Sequence, residues 1–213
     1  YSLNENFKNY FNNYDFHNLY KELLNFCTVD LSAFYFDIRK DSLYCDSKDS
    51  KKRQSTIILL NLILKSLLRW FAPILSFTTE EIYRLIKDDD KSIHLTKFLE
   101  FPKSFKNENL NQKWLELIKI RNVCNISIEE KRASKEIGSS LEASLKINLD
   151  KKLNEISKDV DFSELCITSS AEVSYLEGSE IKVQTTKAEG SKCQLCWKIT
   201  KDACSRKSCP IHS

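Results

Sequence analysis

The stretch FHNLYKELLNFCTVDLSAFYFDI, residues 16–38, decides the architecture of the first part of the chain. Its apolar residues recur at steps of three and four, which places them along one stripe of an amphipathic helix. Asp15 precedes the stretch and is a suitable N-cap, because its carboxylate can accept a hydrogen bond from the first helical turn. We therefore predict a helix over residues 15–38 that packs against other helices.

Three further segments share this helical period. We predict these helices over residues 51–71, from residue 78 to the acidic run 88–90, and over residues 108–135. Pro73 ends the first of them, and Thr78-Thr79-Glu80-Glu81 has the pattern of a capping box at the start of the next. A polar loop is expected within residues 40–53. Residues 1–136 are thus predicted to form an up-and-down helical bundle, so the fold class is mainly α.

The period changes after Gly138, which we expect to cap the end of the last long helix. Alternating apolar residues predict a strand within residues 141–149. A short helix and three further strands are predicted over residues 151–158, 162–170, 172–176 and 180–186. Residues 137–190 are therefore expected to form a small α+β junction domain, followed by a tail, residues 191–213.

The composition excludes several classes of enzyme. The chain has 213 residues, a net charge of +3 and only three glycines, which lie too far apart for a phosphate-binding loop of either common type. Its three histidines are also far apart, so no pair lies one helical turn apart as in metalloproteases. A hydrolase with scattered catalytic groups stays an alternative. The absence of Met and the start at Tyr1 suggest a piece of a longer chain.

No segment has the composition of a membrane span or of a secretory signal. The most apolar stretch, residues 57–75, is interrupted by Asn61, Lys65, Arg69 and Pro73, which a spanning helix would rarely carry at its centre. Residues 1–20 lack the apolar core of a signal peptide. We therefore expect a cytoplasmic protein that has no membrane partner.

The strongest motif is a cluster of potential metal ligands in the tail. Cys193-x2-Cys196 is followed after twelve residues by Cys209-x2-His212. Two such turns can supply the four corners of a tetrahedral Zn²⁺ site, and Cys204 is an alternative ligand. No acidic residue suited to activating a bound water lies nearby, so the zinc is expected to be structural, with one ion per chain. The other four cysteines are dispersed and are expected to be single buried thiols of a reducing compartment.

The tail is also basic, because from Lys182 onward seven lysines and arginines accompany only two acidic residues. A basic segment with an exposed aromatic side chain such as Trp197 can bind single-stranded RNA through phosphates and stacked bases. Equally, the lysines could only solvate the tail while Trp197 covers the metal site. The candidate RNA-binding residues are Trp197, Lys192, Lys198, Lys201, Arg206 and Lys207 in the tail, and Arg121 and Arg132 on a partly basic face of the last long helix.

Four segments together resemble the C-terminal part of class I isoleucyl-tRNA synthetases of the bacterial or organellar type. They are residues 26–44, 71–83, 130–143 and 192–198, and their order and spacing cover essentially the whole chain. The first two are similar, more weakly, to the valyl and leucyl enzymes. The Cys-x2-Cys-Trp sequence at residues 193–197 favours the isoleucyl family.

The resemblance implies a helical anticodon-binding domain and a zinc-binding tail that together hold tRNA(Ile), with no DNA partner. It also implies that ATP and Mg²⁺ are used by catalytic and editing domains N-terminal to this chain, in a monomeric parent enzyme, so no catalytic residue is assigned here. The family usually ends in a second Cys-x2-Cys pair, whereas this chain has Cys209-x2-His212. Either His212 replaces the last thiolate or Cys204 does. A stand-alone zinc-containing module for RNA or protein binding, or the equivalent region of a valyl or leucyl enzyme, stays an alternative.

Overall fold

The structure is a computed structural model that describes residues 1–86, 91–176, 178 and 180–201. The chain forms two compact units. One comprises Tyr1–Leu43 and Lys48–Lys106, and the other comprises Tyr44–Ser47 with the described residues from Asn107 onward. Within the described ranges, no helix is both long enough and apolar enough to span a bilayer.

The described residues up to 106 form helices and helical turns joined by short connections. In order, it contains α1 (Ser2–Asn12), α2 (Phe16–Asn25), a π-helical segment (Phe26–Phe36), α3 (Asp37–Cys45), α4 (Lys51–Phe71), α5 (Ser76–Ile86) and the 3₁₀ turns Ile93–Leu95 and Lys103–Phe105. The helix predicted over residues 15–38 is confirmed and continues to Cys45. Asp15 caps it as expected, since its carboxylate accepts the Asn18 N–H at 3.2 Å. The predicted polar loop lies between α3 and α4.

The core of the first unit is centred on Trp70 of α4. Phe7, Leu19 and Leu23 are buried with it, and the Phe7 and Trp70 rings meet edge to face with their centroids 4.9 Å apart. The Trp70 Nε1–H donates to Asn4 Oδ1 at 3.0 Å, and Asn4 Nδ2 donates to the Leu99 carbonyl at 2.9 Å. Asn4 is itself buried, so its amide gives the Trp70 indole a hydrogen-bond partner inside the core.

Helix α5 begins at Ser76, two residues before the start predicted from a capping box. The Thr79 hydroxyl donates to the Leu75 carbonyl at 2.9 Å and therefore lies within the helix. The Glu80 carboxylate accepts hydrogen bonds from Ser92 Oγ at 2.8 Å and from the Ile93 N–H at 3.0 Å. The hydrogen bonds from Ser92 and Arg84 lower the pKa of Glu80. The capping-box prediction was wrong because the helix already starts at Ser76, so Thr78 lies within its first turn and not at the N-cap.

The second unit combines a long helix with a small sheet. Its elements are α6 (Glu108–Ala133), a 3₁₀ turn (Ser140–Glu142), β1 (Ala143–Leu149), α7 (Lys151–Ser157), α8 (Phe162–Leu165), β2 (Ser170–Tyr175), β3 (Lys182–Lys187), β4 (Ser191–Lys192) and β5 (Ile199–Thr200). Strand β1 is central, parallel to β2 and antiparallel to β3. Strands β4 and β5 pair separately as an antiparallel hairpin.

Alternation along β1 buries one face of the sheet, as the sequence predicted. Ala143, Leu145, Ile147 and Leu149 are fully buried. Helix α6 packs against β3 and β1, and the Ser127 and Thr185 hydroxyls hydrogen-bond at 2.7 Å between α6 and β3. The long helix therefore shares a compact unit with the sheet, whereas its period had predicted a place in the helical bundle of residues 1–136.

Two local predictions in this unit were wrong. Helix α6 ends at Ala133, and the residue with the left-handed φ that follows its end is Lys135, at +59°, and not Gly138. Gly138 instead donates its N–H to Glu142 Oε2 at 3.0 Å. The segment predicted as a strand over residues 162–170 starts with the short helix α8, because Asp161 Oδ1 accepts the N–H groups of Ser163 and Glu164 at its first turn.

Two of the dispersed cysteines are neighbours. Cys124 of α6 and Cys166, which follows α8, are both buried. The hydrogen bond with Cys166, together with burial, raises the pKa of the Cys124 thiol. They are therefore a buried thiol pair, and not the separate thiols that their spacing suggested.

Candidate nucleic-acid interface and metal ligands

The first cysteine pair lies at the turn of a hairpin, residues 190–201, which we call the cysteine hairpin. Ser191 pairs with Thr200, and Lys192 pairs with Ile199. Within the turn, the Cys193 N–H donates to the Lys198 carbonyl at 2.8 Å and the Trp197 N–H donates to the Cys193 carbonyl at 3.0 Å. These bonds fix the path of the chain between the two cysteines.

Gly190 allows the two strands of the cysteine hairpin to approach each other. Its φ is +128°, and a Cβ atom added there would lie 2.2 Å from the Thr200 carbonyl oxygen and 2.4 Å from the Thr200 carbonyl carbon. Real Cβ atoms essentially never come closer than 3.0 Å to another heavy atom. Both the backbone conformation and the space therefore require glycine at this position.

The two described cysteines fit the chemistry of a metal ligand pair. The Leu195 N–H lies 3.4 Å from Cys193 Sγ and donates to it, a contact that a thiolate ligand of a metal can also accept. Cys196 is 6% exposed. Cys204, Cys209 and His212 lie outside the described residues. Within the described part of the chain no three His, Cys, Asp or Glu side chains form a group that could hold a metal ion, so the complete ligand set stays a prediction.

Trp197 is exposed at the end of this turn. Its side chain is 59% exposed, and its φ of +62° is unusual for a residue with a side chain. The Lys192 Nζ lies 5.6 Å from the centroid of the indole ring, within the range of a cation–π contact. The exposed ring and the adjacent ammonium group therefore offer a stacking surface next to a phosphate-binding charge.

The neighbouring lysines already have partners within the unit. Lys198 Nζ donates to Ser163 Oγ at 3.3 Å, and Ser163 Oγ donates to Asp161 Oδ1 at 2.7 Å. Burial opposes ionisation of Asp161, but hydrogen bonds from Ser163 and Glu164 and the Lys198 charge lower its pKa overall. Lys201 forms an exposed ion pair with Glu189 at 2.7 Å.

A further contact attaches the cysteine hairpin to the rest of its unit. The Ile199 N–H donates to Ser169 Oγ at 2.6 Å, and Ser169 Oγ donates to the Leu141 carbonyl. Ser163, Ser169 and Gly190 are not among the site residues predicted from the sequence. An isolated glycine before a Cys-x2-Cys turn could have indicated the hairpin, whereas nothing in the sequence distinguishes these serines.

The basic residues predicted on α6 are engaged locally. Arg121 Nε donates to the Leu165 carbonyl at the end of α8 at 2.9 Å, and Arg132 pairs with Glu129 at 2.7 Å. Arg132 also lines an open groove of about 470 Å³ with Lys135 and Gly138. Arg206 and Lys207 lie outside the described residues. RNA contact by each of these residues stays a prediction.

Comparisons with known proteins agree with this architecture. The family model described as "Anticodon-binding domain of tRNA ligase" matches residues 1–147. The chain is 69% identical to the isoleucine–tRNA ligase of Pelagibacter ubique (strain HTCC1062), over 98% of this chain and 23% of that protein. It is 40% identical to the enzyme of Agrobacterium fabrum, over 89% and 21%, and 37% identical to that of Bartonella henselae, over 94% and 22%. The chain thus spans about a fifth of the length of these relatives, and it belongs to the anticodon-binding domain family of tRNA ligases.

Proposed function

We propose that this chain is the C-terminal, tRNA-binding portion of an isoleucine–tRNA ligase. The observation that carries the proposal is the match to the anticodon-binding family over residues 1–147, combined with 69% identity to a protein named isoleucine–tRNA ligase. The chain positions tRNA(Ile) so that the acceptor end reaches a catalytic domain elsewhere in the polypeptide. ATP, Mg²⁺ and the catalytic and editing residues belong to that other part, in a monomeric cytoplasmic enzyme.

One structural Zn²⁺ per chain completes the proposed site. Cys193, Cys196, Cys209 and His212 hold it, with Cys204 as the alternative to His212. The hairpin turn and the N–H donated to Cys193 Sγ support this assignment. Bound zinc would tie the chain after residue 201 to the cysteine hairpin, because it joins ligands that lie far apart in sequence.

The RNA-binding surface is proposed at the exposed end of the cysteine hairpin. Trp197 stacks on an unpaired base while Lys192 binds a neighbouring phosphate, which the 5.6 Å spacing of ammonium and ring supports. Lys201, Arg206 and Lys207 add positive charge along the strand. Lys198 belongs to the same basic segment, but its ammonium group contacts Ser163.

Aminoacylation by the full-length protein that contains this chain tests the function. We expect ATP-dependent charging of tRNA(Ile) with isoleucine, and no comparable charging of tRNA(Val) or tRNA(Leu). Preferential charging of either other tRNA would leave the tRNA-ligase family in place and refute the isoleucine assignment. Absence of all charging, with retained zinc and RNA binding, would favour a stand-alone zinc-containing RNA-binding module.

A further inference from the structure

We infer that Ser169 and the Ser163–Asp161 pair are positioning residues, which hold the cysteine hairpin in the orientation that presents Trp197 and Lys192 to RNA. The inference deepens the proposed function and rests on it. It also gives Lys198 a role other than the RNA contact that the sequence suggested. Lys198 is the hairpin residue that bonds to Ser163.

The first attachment is the Ser169 hydroxyl group. It accepts the Ile199 N–H of β5 at 2.6 Å and donates to the Leu141 carbonyl just before β1. The Ser169 N–H also donates to the Ala143 carbonyl at 3.0 Å. One side chain therefore connects the hairpin to the start of the central strand, which is the most deeply buried strand of the unit.

The second attachment is a chain of donors that runs from the hairpin to the first turn of α8. Lys198 Nζ donates to Ser163 Oγ at 3.3 Å, and Ser163 Oγ donates to Asp161 Oδ1 at 2.7 Å. The acidic end of this chain is fixed, because Asp161 Oδ1 also accepts the backbone N–H groups of Ser163 and Glu164. The ammonium group of Lys198 thereby compensates a carboxylate on the body of the unit.

These contacts decide which way the hairpin faces. A two-stranded hairpin with two residue pairs has little stability of its own, so its orientation depends on what it is attached to. Ile199 and Lys198 are hydrogen-bonded to the rest of the unit, and Cys196 is buried. Trp197, between Cys196 and Lys198, is exposed. A fixed hairpin presents the Trp197 ring in one orientation and avoids the entropic cost of ordering it on binding.

The test uses the full-length protein and measures tRNA(Ile) affinity, zinc content and amide exchange at Ile199. Ser169→Ala is expected to lower the affinity by about three- to ten-fold, the effect of losing the part-buried hydrogen bond that attaches Ile199, with unchanged zinc and faster Ile199 exchange. Ser169→Thr keeps the hydroxyl and is expected to restore binding. Ser174→Ala is the matched control, because its hydroxyl bonds Asn148 Oδ1 on the sheet and does not contact the hairpin.

A double-mutant cycle tests the role of Lys198. If Lys198 acts through Ser163, then Ser163→Ala, Lys198→Met and the double variant all bind tRNA with the same reduced affinity. Multiplied losses in the double variant would show that Lys198 contacts RNA directly and would overturn this part of the inference. Wild-type affinity in Ser169→Ala, or loss of its zinc, would overturn the positioning role alone. Absence of tRNA binding by the unchanged protein would overturn the proposed function and, with it, the inference.

Discussion

Replacing Gly190 with alanine tests whether the cysteine hairpin requires glycine. The new Cβ would lie 2.2 Å from the Thr200 carbonyl oxygen, so the two strands must separate by about 0.8 Å to restore the 3.0 Å limit of real contacts. A left-handed φ on a residue with a side chain costs roughly 1–3 kcal/mol. Opening the pairing of Ser191 with Thr200 adds about 1 kcal/mol for each hydrogen bond lost.

We therefore expect a local penalty of about 2–5 kcal/mol, taken up by opening of the hairpin. The hairpin has only two residue pairs and contributes little to the stability of the unit. The thermal transition of the whole unit should therefore shift little. Amide exchange at Cys193, whose N–H donates to the Lys198 carbonyl, should become faster. Zinc affinity should fall by roughly 30-fold or more, which corresponds to about 2 kcal/mol.

Gly178 supplies the matched control. Its φ of +137° carries a similar conformational cost for alanine, but an added Cβ has nothing within 4 Å. The difference between Gly190→Ala and Gly178→Ala therefore isolates the contact with Thr200. Equal Cys193 exchange rates and equal zinc affinities in the two variants would refute the reasoning, whether or not both differ from the unchanged protein.

Three further predictions concern the same region. Trp197→Ala should weaken tRNA(Ile) binding by about 1–3 kcal/mol at unchanged zinc content, and unchanged binding would remove the ring from the RNA contacts. His212→Ala should lose zinc while Cys204→Ser retains it, and the reverse result in metal analysis would make Cys204 the fourth ligand. The pKa of Asp161 is lower in the folded protein than its ordinary value of 3.8. Its ionised carboxylate therefore stabilises the fold fully at pH values above 3.8, and this stabilisation is lost as the pH falls through the folded-state pKa. Asp161→Asn should therefore flatten the pH dependence of stability in that acidic range, and an unchanged acid-unfolding curve would contradict this.

The periodicity of the sequence was sufficient to predict the main helices and the central strand. The stripe within residues 16–38 and the alternation along β1 are local patterns that each bury one face of an element. The Asp15 cap is equally local, because the donor lies three residues away. These features could be predicted because each depends on neighbours within one or two turns.

Other features depended on partners far away in sequence. Nothing in the local pattern of α6 indicates that it shares a unit with the sheet, since the same apolar stripe could pack on helices. Thr78 and Glu81 have the spacing of a capping box, but α5 starts at Ser76, and the adjacent Glu80 binds Ser92 and Ile93. In such places tertiary contacts outweigh the small free energy of a local cap.

In the candidate site too, local features could be predicted from the sequence and contacts between distant residues could not. The spacing of Cys193 and Cys196 indicated a metal-binding turn, because two ligands on one short turn are a local arrangement. The sequence could not assign Lys198 a partner, nor show that Ser169, thirty residues before Ile199, attaches the hairpin. Charge and residue type thus identified the basic, aromatic tail, but only the tertiary structure decided which of its side chains are used for attachment and which are left exposed, because that depends on which surfaces the folded chain brings into contact.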